Sequence, residues 1–136
     1  MSNDAIEFPA PDTEGVGKHL WAALKEGRLD YQRCKSCHHA WLPPRTECPR
    51  CLGADWSWQP ASGKATLLSW VIYHHGYHPW YAKKVPYNVA VVKLAEGPQM
   101  ISNVIDAGGK LKIDMPLQLV IQEEGGIALA RFQVSR

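Results

Sequence analysis

Long apolar runs are missing from this sequence. No stretch approaches the ~20 residues that a helix needs to cross a bilayer, so no membrane span is expected. The first eleven residues, MSNDAIEFPAP, are polar, acidic and proline-rich, which does not describe a secretory leader, and a cytoplasmic setting is expected. Basic runs are short as well: no run of Lys or Arg exceeds two, and the net charge is +2. The isoelectric point is about 8.4, whereas dedicated nucleic-acid-binding domains usually exceed about 9. Also absent are a G-x-S-x-G elbow, a phosphate-binding glycine loop and an H-E-x-x-H helix. An enzyme working alone is therefore not the first expectation. No internal repeat or low-complexity segment occurs.

What is present fits a small folded chain. The 136 residues suit one domain, or one domain with a small appendage. Hydrophobic residues make up 46% and charged residues 21%, enough for a modest core. Residues 1–12 read as a flexible lead. From Thr13 to Glu26, Val16, Leu20, Ala23 and Leu24 fall on one helical face. Thr13 or Asp12 is a candidate cap, and Gly27 stands where a helix ends in the left-handed conformation. Gly15 and Gly17 weaken the first turn, which favours a start near Val16.

Leu29–Arg33 reads as a short strand, and Asp55–Gln59 (DWSWQ) alternates as a strand with one buried face does. After Pro60, β-forming segments follow at Gly63–His74, Tyr87–Leu94, Gln99–Ile105, Leu117–Glu123 and Ile127–Val134. Residues 106–116 carry only a turn or a short helix, and Glu124-Gly125-Gly126 is a hairpin turn. Five strands over the last part of the chain, with a long loop between the first two, suit an OB-type barrel. The expected class is mainly β: an N-terminal lead and helix (1–28), a metal ribbon (29–60) and a five-stranded OB-fold (61–136).

The four cysteines form two C-x-x-C pairs, Cys34/Cys37 and Cys48/Cys51, with ten residues between them. In a non-secreted chain this points to metal rather than disulfides. Each pair makes a tight knuckle that aims both sulfurs at one ion, and two knuckles supply the tetrahedral thiolate shell that Zn²⁺ accepts. Iron in a rubredoxin-like site uses the same ligands. Four thiolates leave no open position, so the site is expected to be structural. His38 and His39, beside the second ligand, are expected to face solvent. Trp41 is expected against the knuckles, and Trp56, Trp58 and Trp70 in the seam between ribbon and barrel. Glu123 and Glu124 read as a solvated hairpin tip.

The loop from His74 to Tyr87 is the best candidate for contact with another molecule. It carries Tyr77, His78, Trp80, Tyr81, Lys83 and Lys84, an aromatic density unusual for an idle solvated loop. The lysines suit phosphates. The aromatic rings suit stacking on a base, or anchoring a protein partner. Folding back over the barrel mouth is the remaining alternative.

Several stretches resemble one known family. They are LKEGRLDYQRC (Leu24–Cys34), CKSCHHAWLPPRTECPRC (Cys34–Cys51) and SGKATLLSWVIYH (Ser62–His74). VPYNVAVVKLAEGPQMISNV (Val85–Val104), KIDMPLQLVIQEE (Lys112–Glu124) and IALARFQ (Ile127–Gln133) continue the match. In order and spacing the chain is similar to bacterial and archaeal proteins in which a rubredoxin-like zinc ribbon precedes an acyl-CoA-associated OB-fold, formerly grouped as a domain of unknown function. The resemblance implies one structural zinc and a role as a small subunit. Partners in that family are thiolase-like, aldolase-like or hot-dog-fold hydratase-like, and the OB-fold helps form the partner's CoA or acyl-CoA site. A hetero-oligomer, two plus two with a dimeric thiolase-type partner, is the expected assembly. Two other functions stay open: a single-stranded nucleic-acid-binding OB-fold, and an independent acyl-CoA hydrolase or transferase.

Overall fold

The computed structural model describes residues 7–105, 107 and 109–135. After a 3₁₀ turn at Gly15–Gly17, helix α1 spans Lys18–Lys25 and buries Ala23 and Leu24. It stops as the glycine placement predicts. Gly27 has φ +92°, its amide donates to the Leu24 carbonyl, and the Arg28 amide donates to that of Ala23. This paired closure needs the left-handed backbone that glycine adopts without strain. The expected cap is corrected: Gly17 is the N-cap and has no side-chain cap bond. Asp12 instead accepts from the Glu14 amide at 3.0 Å, because the glycine-rich turn separates it from α1.

The ribbon is a three-stranded sheet. β1 (Asp30–Cys34) lies between β2 (Ala40–Trp41) and β3 (Trp56–Pro60), antiparallel to both. Gln32 is fully buried in β1. Its side-chain amide donates to the Arg45 carbonyl at 2.7 Å and its oxygen accepts from the Arg45 amide at 2.8 Å. A side chain thus imitates a strand partner and satisfies loop backbone that no strand reaches.

The second sheet holds β4 (Lys64–Tyr73), β5 (Tyr87–Leu94), β6 (Gln99–Ser102), β7 (Val104–Ile105), β8 (Pro116–Glu124) and β9 (Ile127–Val134). Its order is β6-β5-β4-β8-β9-β7. The two ends of that order are consecutive in the chain, separated by Asn103 alone. The segment expected as one strand over Gln99–Ile105 is therefore one bent strand: its first half pairs antiparallel with β5 and its second half parallel with β9. This is the strand arrangement of an OB-fold. Leu68 is an extra residue in the ladder between β4 and β5, and such a bulge bends a long strand. The described residues between β7 and β8 form turns rather than a helix; Asp106 and Gly108 lie outside the described residues. Gly125 and Gly126, at φ +61° and +81°, make the hairpin turn between β8 and β9.

Asn88 holds the bend. Its amide donates to the Val104 carbonyl at 2.7 Å and its oxygen accepts from the Val104 amide at 2.8 Å. Asn103 returns a side-chain bond to the Asn88 carbonyl. We expect Asn88→Ala to cost about 2 kcal/mol, since it leaves half-buried backbone groups without partners. A denaturant midpoint unchanged in Asn88→Ala would sink this assignment.

The main core joins Leu67, Val92, Leu94, Val104, Leu117 and Phe132 of the sheet to Leu24 and Leu29 of the helical region. Leu20, Trp21 and Leu42 pack on its margin. These residues, rather than the tryptophans of β3, make the seam between ribbon and barrel. Trp56 joins the ribbon's own cluster with Cys34, Trp41 and Cys48. Trp58 stacks on His19 of α1 at 4.5 Å, and Trp70 lies against the barrel core. The reason is that α1 inserts Leu20, Trp21 and Leu24 between the two sheets. His19 also meets the buried Asp30 at 2.7 Å, and Arg28 reaches the same carboxylate at 3.2 Å, tying α1 to β1. No helix among the described residues is long and apolar enough to cross a membrane.

Candidate metal centre and aromatic loop

The two cysteine knuckles repeat one backbone pattern fourteen positions apart. The Cys34 amide donates to the His39 carbonyl and the Cys48 amide to that of Gly53. The His38 amide donates to the Cys34 carbonyl, and the Leu52 amide to that of Cys48. The residue after each second cysteine takes the left-handed conformation: His38 has φ 65° and Leu52 has φ 64°. Each turn also points amides at its first sulfur. Those of Ser36 and Cys37 lie 3.4 Å from Cys34 Sγ, and that of Cys51 lies 3.5 Å from Cys48 Sγ.

The four sulfurs lie within 4.8 Å of one another. Cys34 and Cys51 are 3.5 Å apart and Cys37 and Cys48 3.6 Å. A tetrahedral shell with bonds of about 2.3 Å has edges of about 3.8 Å, so the donors fit one tetrahedral ion. The amide of Cys37 is the largest influence lowering the Cys34 thiol, which falls to about 6, a poise that favours thiolate. At Cys51 the Gly53 amide pulls the other way, but the neighbouring thiols and burial push it up to about 12. A bound cation would reverse that repulsion and favour the thiolate form of all four. Such an ion would be held by Cys34, Cys37, Cys48 and Cys51, and it would supply cross-linking of two turns rather than reactivity.

His38 is exposed, as expected. His39 is half-buried, with its ring 6.2 Å from Trp41, and like His38 it stands outside the group of four sulfurs. Leu52 is 71% exposed, so its φ is imposed by the turn and not by packing. We expect Leu52→Gly to keep or raise the melting temperature, and Leu52→Val to lower stability by about 1 kcal/mol, because a β-branched residue tolerates left-handed backbone poorly. Equal melting of the two variants would contradict this.

The His74–Tyr87 loop is not free. A 3₁₀ turn at Pro79–Tyr81 is capped by His78, whose Nδ1 accepts from the Trp80 amide at 3.0 Å. Gly76 sits so close to this turn that a Cβ there would fall 2.5 Å from the Tyr81 carbonyl oxygen. Trp80 Nε1 donates to Glu124 Oε1 at 2.5 Å, and Lys84 Nζ donates to the same oxygen at 3.2 Å. Arg131 reaches the other carboxylate oxygen at 2.5 Å. Lys84 also lies 4.2 Å over the Trp80 ring. Tyr77 is 79% exposed, edge-on to Tyr73 and His75. Lys83 is exposed.

Glu124 thus departs from the solvated tip expected of it. Its side chain is 13% exposed and anchors the loop to the β8–β9 hairpin. Burial opposes its charge, yet the bonds from Trp80, Arg131 and Lys84 hold its carboxyl below the usual range. Glu123, its neighbour on the other face, is exposed. The N-terminal segment joins the same knot. Phe8 is half-buried and packs edge-on to Trp80 at 5.3 Å. A Cβ on Gly125 would collide with its ring. The expectation of a free lead is therefore corrected for residues 7–12; residues 1–6 lie outside the described residues. Phe8, Glu124 and Arg131 gave no local signal, since their partners lie far away in the chain.

A rubredoxin-like ribbon carrying four convergent cysteines, followed by an OB-fold and with one preceding helix packed against both, defines the class. Comparison with known proteins agrees. Residues 21–57 match the rubredoxin-like zinc ribbon domain of ChsH2, and residues 58–122 match its C-terminal OB-fold domain. The chain belongs to this ChsH2-type family, also called DUF35. It is 32% identical to a chain of the Ltp2-ChsH2(DUF35) aldolase, with a TM-score of 0.81, covering 92% of this chain and 98% of that one. It is 36% identical, over 82% of its length, to a probable enoyl-CoA hydratase alpha subunit of Thermomonospora curvata, and spans 34% of that longer protein. A DUF35 domain-containing scaffold protein of Methanocaldococcus jannaschii is 28% identical over 77% of this chain and 78% of that protein. A DUF35 structure from Sulfolobus solfataricus shares the fold at 15% identity, with a TM-score of 0.65, over 88% of this chain and 85% of that one.

Proposed function

We propose that this chain is a non-catalytic accessory subunit of an acyl-CoA-processing complex. It binds a thiolase-like, aldolase-like or hydratase-like partner and helps form that partner's CoA or acyl-CoA site. The observation that carries this reading is the likeness to the DUF35 chain of an aldolase complex over 98% of that chain. The relatives named as a hydratase subunit and a scaffold protein support the same class. A thiolate shell without an open position suits a structural metal, which we assign as one zinc. In this reading Tyr77 and Lys83 face the partner or the phosphates of CoA, while Trp80, Tyr81 and Lys84, set by Glu124 and by the cap at His78, form the rim. The ribbon occupies 29–60 and the OB-fold 61–136, in a cytoplasmic hetero-oligomer of two plus two.

The test is affinity purification of the full chain from its native host, with metal content read on the same sample. A thiolase-like or hydratase-like chain recovered with about one zinc per copy, in a colourless preparation, is the expected result. Recovery of nucleic acid, or of no second protein, would discard the reading.

A further inference from the structure

We propose that the outer face of strands β4, β5 and β6 is a docking surface for a second, different protein, one that presents an apolar patch rimmed by carboxylates. Strand β5 turns Ala90, Val92 and Leu94 into the core, where all three are buried, so Tyr87, Val89, Val91 and Lys93 point away from it. Residues opposite each other in an antiparallel ladder share a face. Tyr73, Val71 and Ser69 of β4 oppose Tyr87, Val89 and Val91, and Ile101 of β6 opposes Val91. The outer side of three neighbouring strands is therefore apolar from Ile101 across to Val71, where an antiparallel sheet ordinarily turns polar residues to water. Ile101 is 72% exposed and Val71 55%, and neither they nor Val89 and Val91 pack on the main core. The patch continues into the aromatic loop. Tyr73 stacks on Tyr87 at 5.4 Å and meets the exposed Tyr77 edge-on at 6.3 Å. A contiguous exposed apolar patch marks an interaction site, and tyrosines are its usual anchors.

Cations flank this patch at both ends. Lys64 and Lys93 are exposed beyond Val91, and Lys83 is exposed in the loop at the other end. Among the described residues none of the three makes an ion pair. The carboxylates nearest in the chain are engaged already: Glu96 accepts from the Ser62 amide at 2.8 Å, and Glu124 holds Trp80, Lys84 and Arg131. A second copy, docked face to face, would bring the same unpaired cations and no carboxylate to meet them. Single-stranded nucleic acid would satisfy the cations but not the aliphatic centre, which offers no polar group to a base or phosphate. A protein with an apolar patch and a carboxylate rim matches both features. This inference rests on the accessory-subunit reading and adds to it the contacting face and the charge of the partner's own face.

The test uses the full, metal-loaded chain carrying an affinity tag, purified from its native host together with the protein that accompanies it, identified by mass spectrometry. Hydroxyl-radical footprinting compares that complex with the isolated chain. Oxidation of Tyr73, Tyr77 and Ile101 is expected to fall about fivefold in the complex, since an interface core excludes water. Val71→Glu and Ile101→Glu each set an unpaired charge in the patch, and at an unchanged melting temperature each is expected to lower recovery of the accompanying protein about tenfold. Lys93→Glu, at the rim, is expected to lower it about threefold. Leu52→Asp places the same charge on an exposed apolar site of the ribbon, with a residue that tolerates left-handed backbone, and is expected to recover the protein as the parent chain does. Full recovery by both Val71→Glu and Ile101→Glu, an equal loss in Leu52→Asp, or undiminished oxidation of Tyr73 and Ile101 in the complex overturns the inference and leaves the accessory role standing. Improved recovery by Lys93→Glu overturns the carboxylate rim. Dimerisation of the isolated chain that Val71→Glu abolishes, or nucleic acid protecting Tyr73 and Ile101, overturns it by giving the face another occupant. The footprint needs no variant, so a misfolded substitution leaves the inference testable. Recovery of no second protein by the parent chain overturns this inference and the accessory role together.

Discussion

A Cys48→Ser protein is expected to lose its metal and the fixed packing of its ribbon, while the OB-fold sheet keeps its strands. Cys48 is fully buried, and the ribbon's cluster consists of Cys34, Trp41 and Cys48, flanked by Cys37 and Trp56. A core that small cannot offset the ordering of some thirty residues at about 1–2 kcal/mol each. Metal binding supplies the difference, since a structural zinc contributes on the order of 10 kcal/mol to folding. The main core contains no cysteine and draws on β4, β5, β8 and β9, so it survives. Metal content should fall to near zero, the near-ultraviolet signal of Trp41 and Trp56 should collapse, and the far-ultraviolet strand signal should persist. Chelation of the unmodified protein should do the same. Retention of stoichiometric metal by Cys48→Ser would refute this account.

Acid should release the ion too. Cys34 is depressed from 9.0 to about 6. A group lowered on folding stabilises the fold above its unfolded value, and that contribution is lost as pH falls through the folded one. Protons compete with metal for thiolates in the same direction. Metal retention, read by dialysis against buffers of falling pH, is therefore expected to fall as the pH is lowered into the acid range.

The second large effect is at Glu124. Glu124→Ala is expected to cost about 3 kcal/mol and to free the His74–Tyr87 loop. The substitution leaves Arg131, whose side chain is 17% exposed, without its carboxylate, and removing one partner of a largely buried ion pair is far costlier than the pair's net worth. It also strands the Trp80 indole N–H and removes the seat of Lys84. Lys84→Ala should cost under about 1 kcal/mol, because Lys84 is half exposed and water replaces its bonds. Denaturant unfolding ranks the two variants. Limited proteolysis checks the loop, with new cleavage between residues 74 and 87 expected in Glu124→Ala. The carboxyl is depressed on folding, so its contribution is present above the ordinary carboxylate range and lost as pH falls through its lowered value. Equal stability of Glu124→Ala and the parent protein would show that the anchor carries no load.

Much of this architecture is legible along the chain because its causes are local. The knuckles arise from cysteine pairs two residues apart, and the helix stop from Gly27. The strands from Tyr87 to Leu94 and from Ile127 to Val134 arise from unbroken β-forming runs. The third barrel strand reads as one piece, since nothing in Gln99–Ile105 announces that it changes partners at Asn103. That break follows from closing the sheet onto β9, and Asn88 sustains it from fifteen residues away. The tryptophans of β3 read as seam residues by position alone. The seam is in fact built from Leu20, Trp21, Leu24, Leu29 and Leu42, because a helix from earlier in the chain occupies that space.

The sequence by itself determined which four cysteines are placed to hold a metal, the order of the elements and the aromatic character of one loop. Those depend on spacing and residue type over a few positions, where steric and bonding geometry leave little choice. Only the tertiary structure decided what that loop is fastened to. Glu124 meets Trp80 across forty-four residues, and Phe8 meets both Trp80 and Gly125. Burial then turned a hairpin-tip carboxylate, which water would solvate if the strand stood alone, into an anchor that must be paired where it lies.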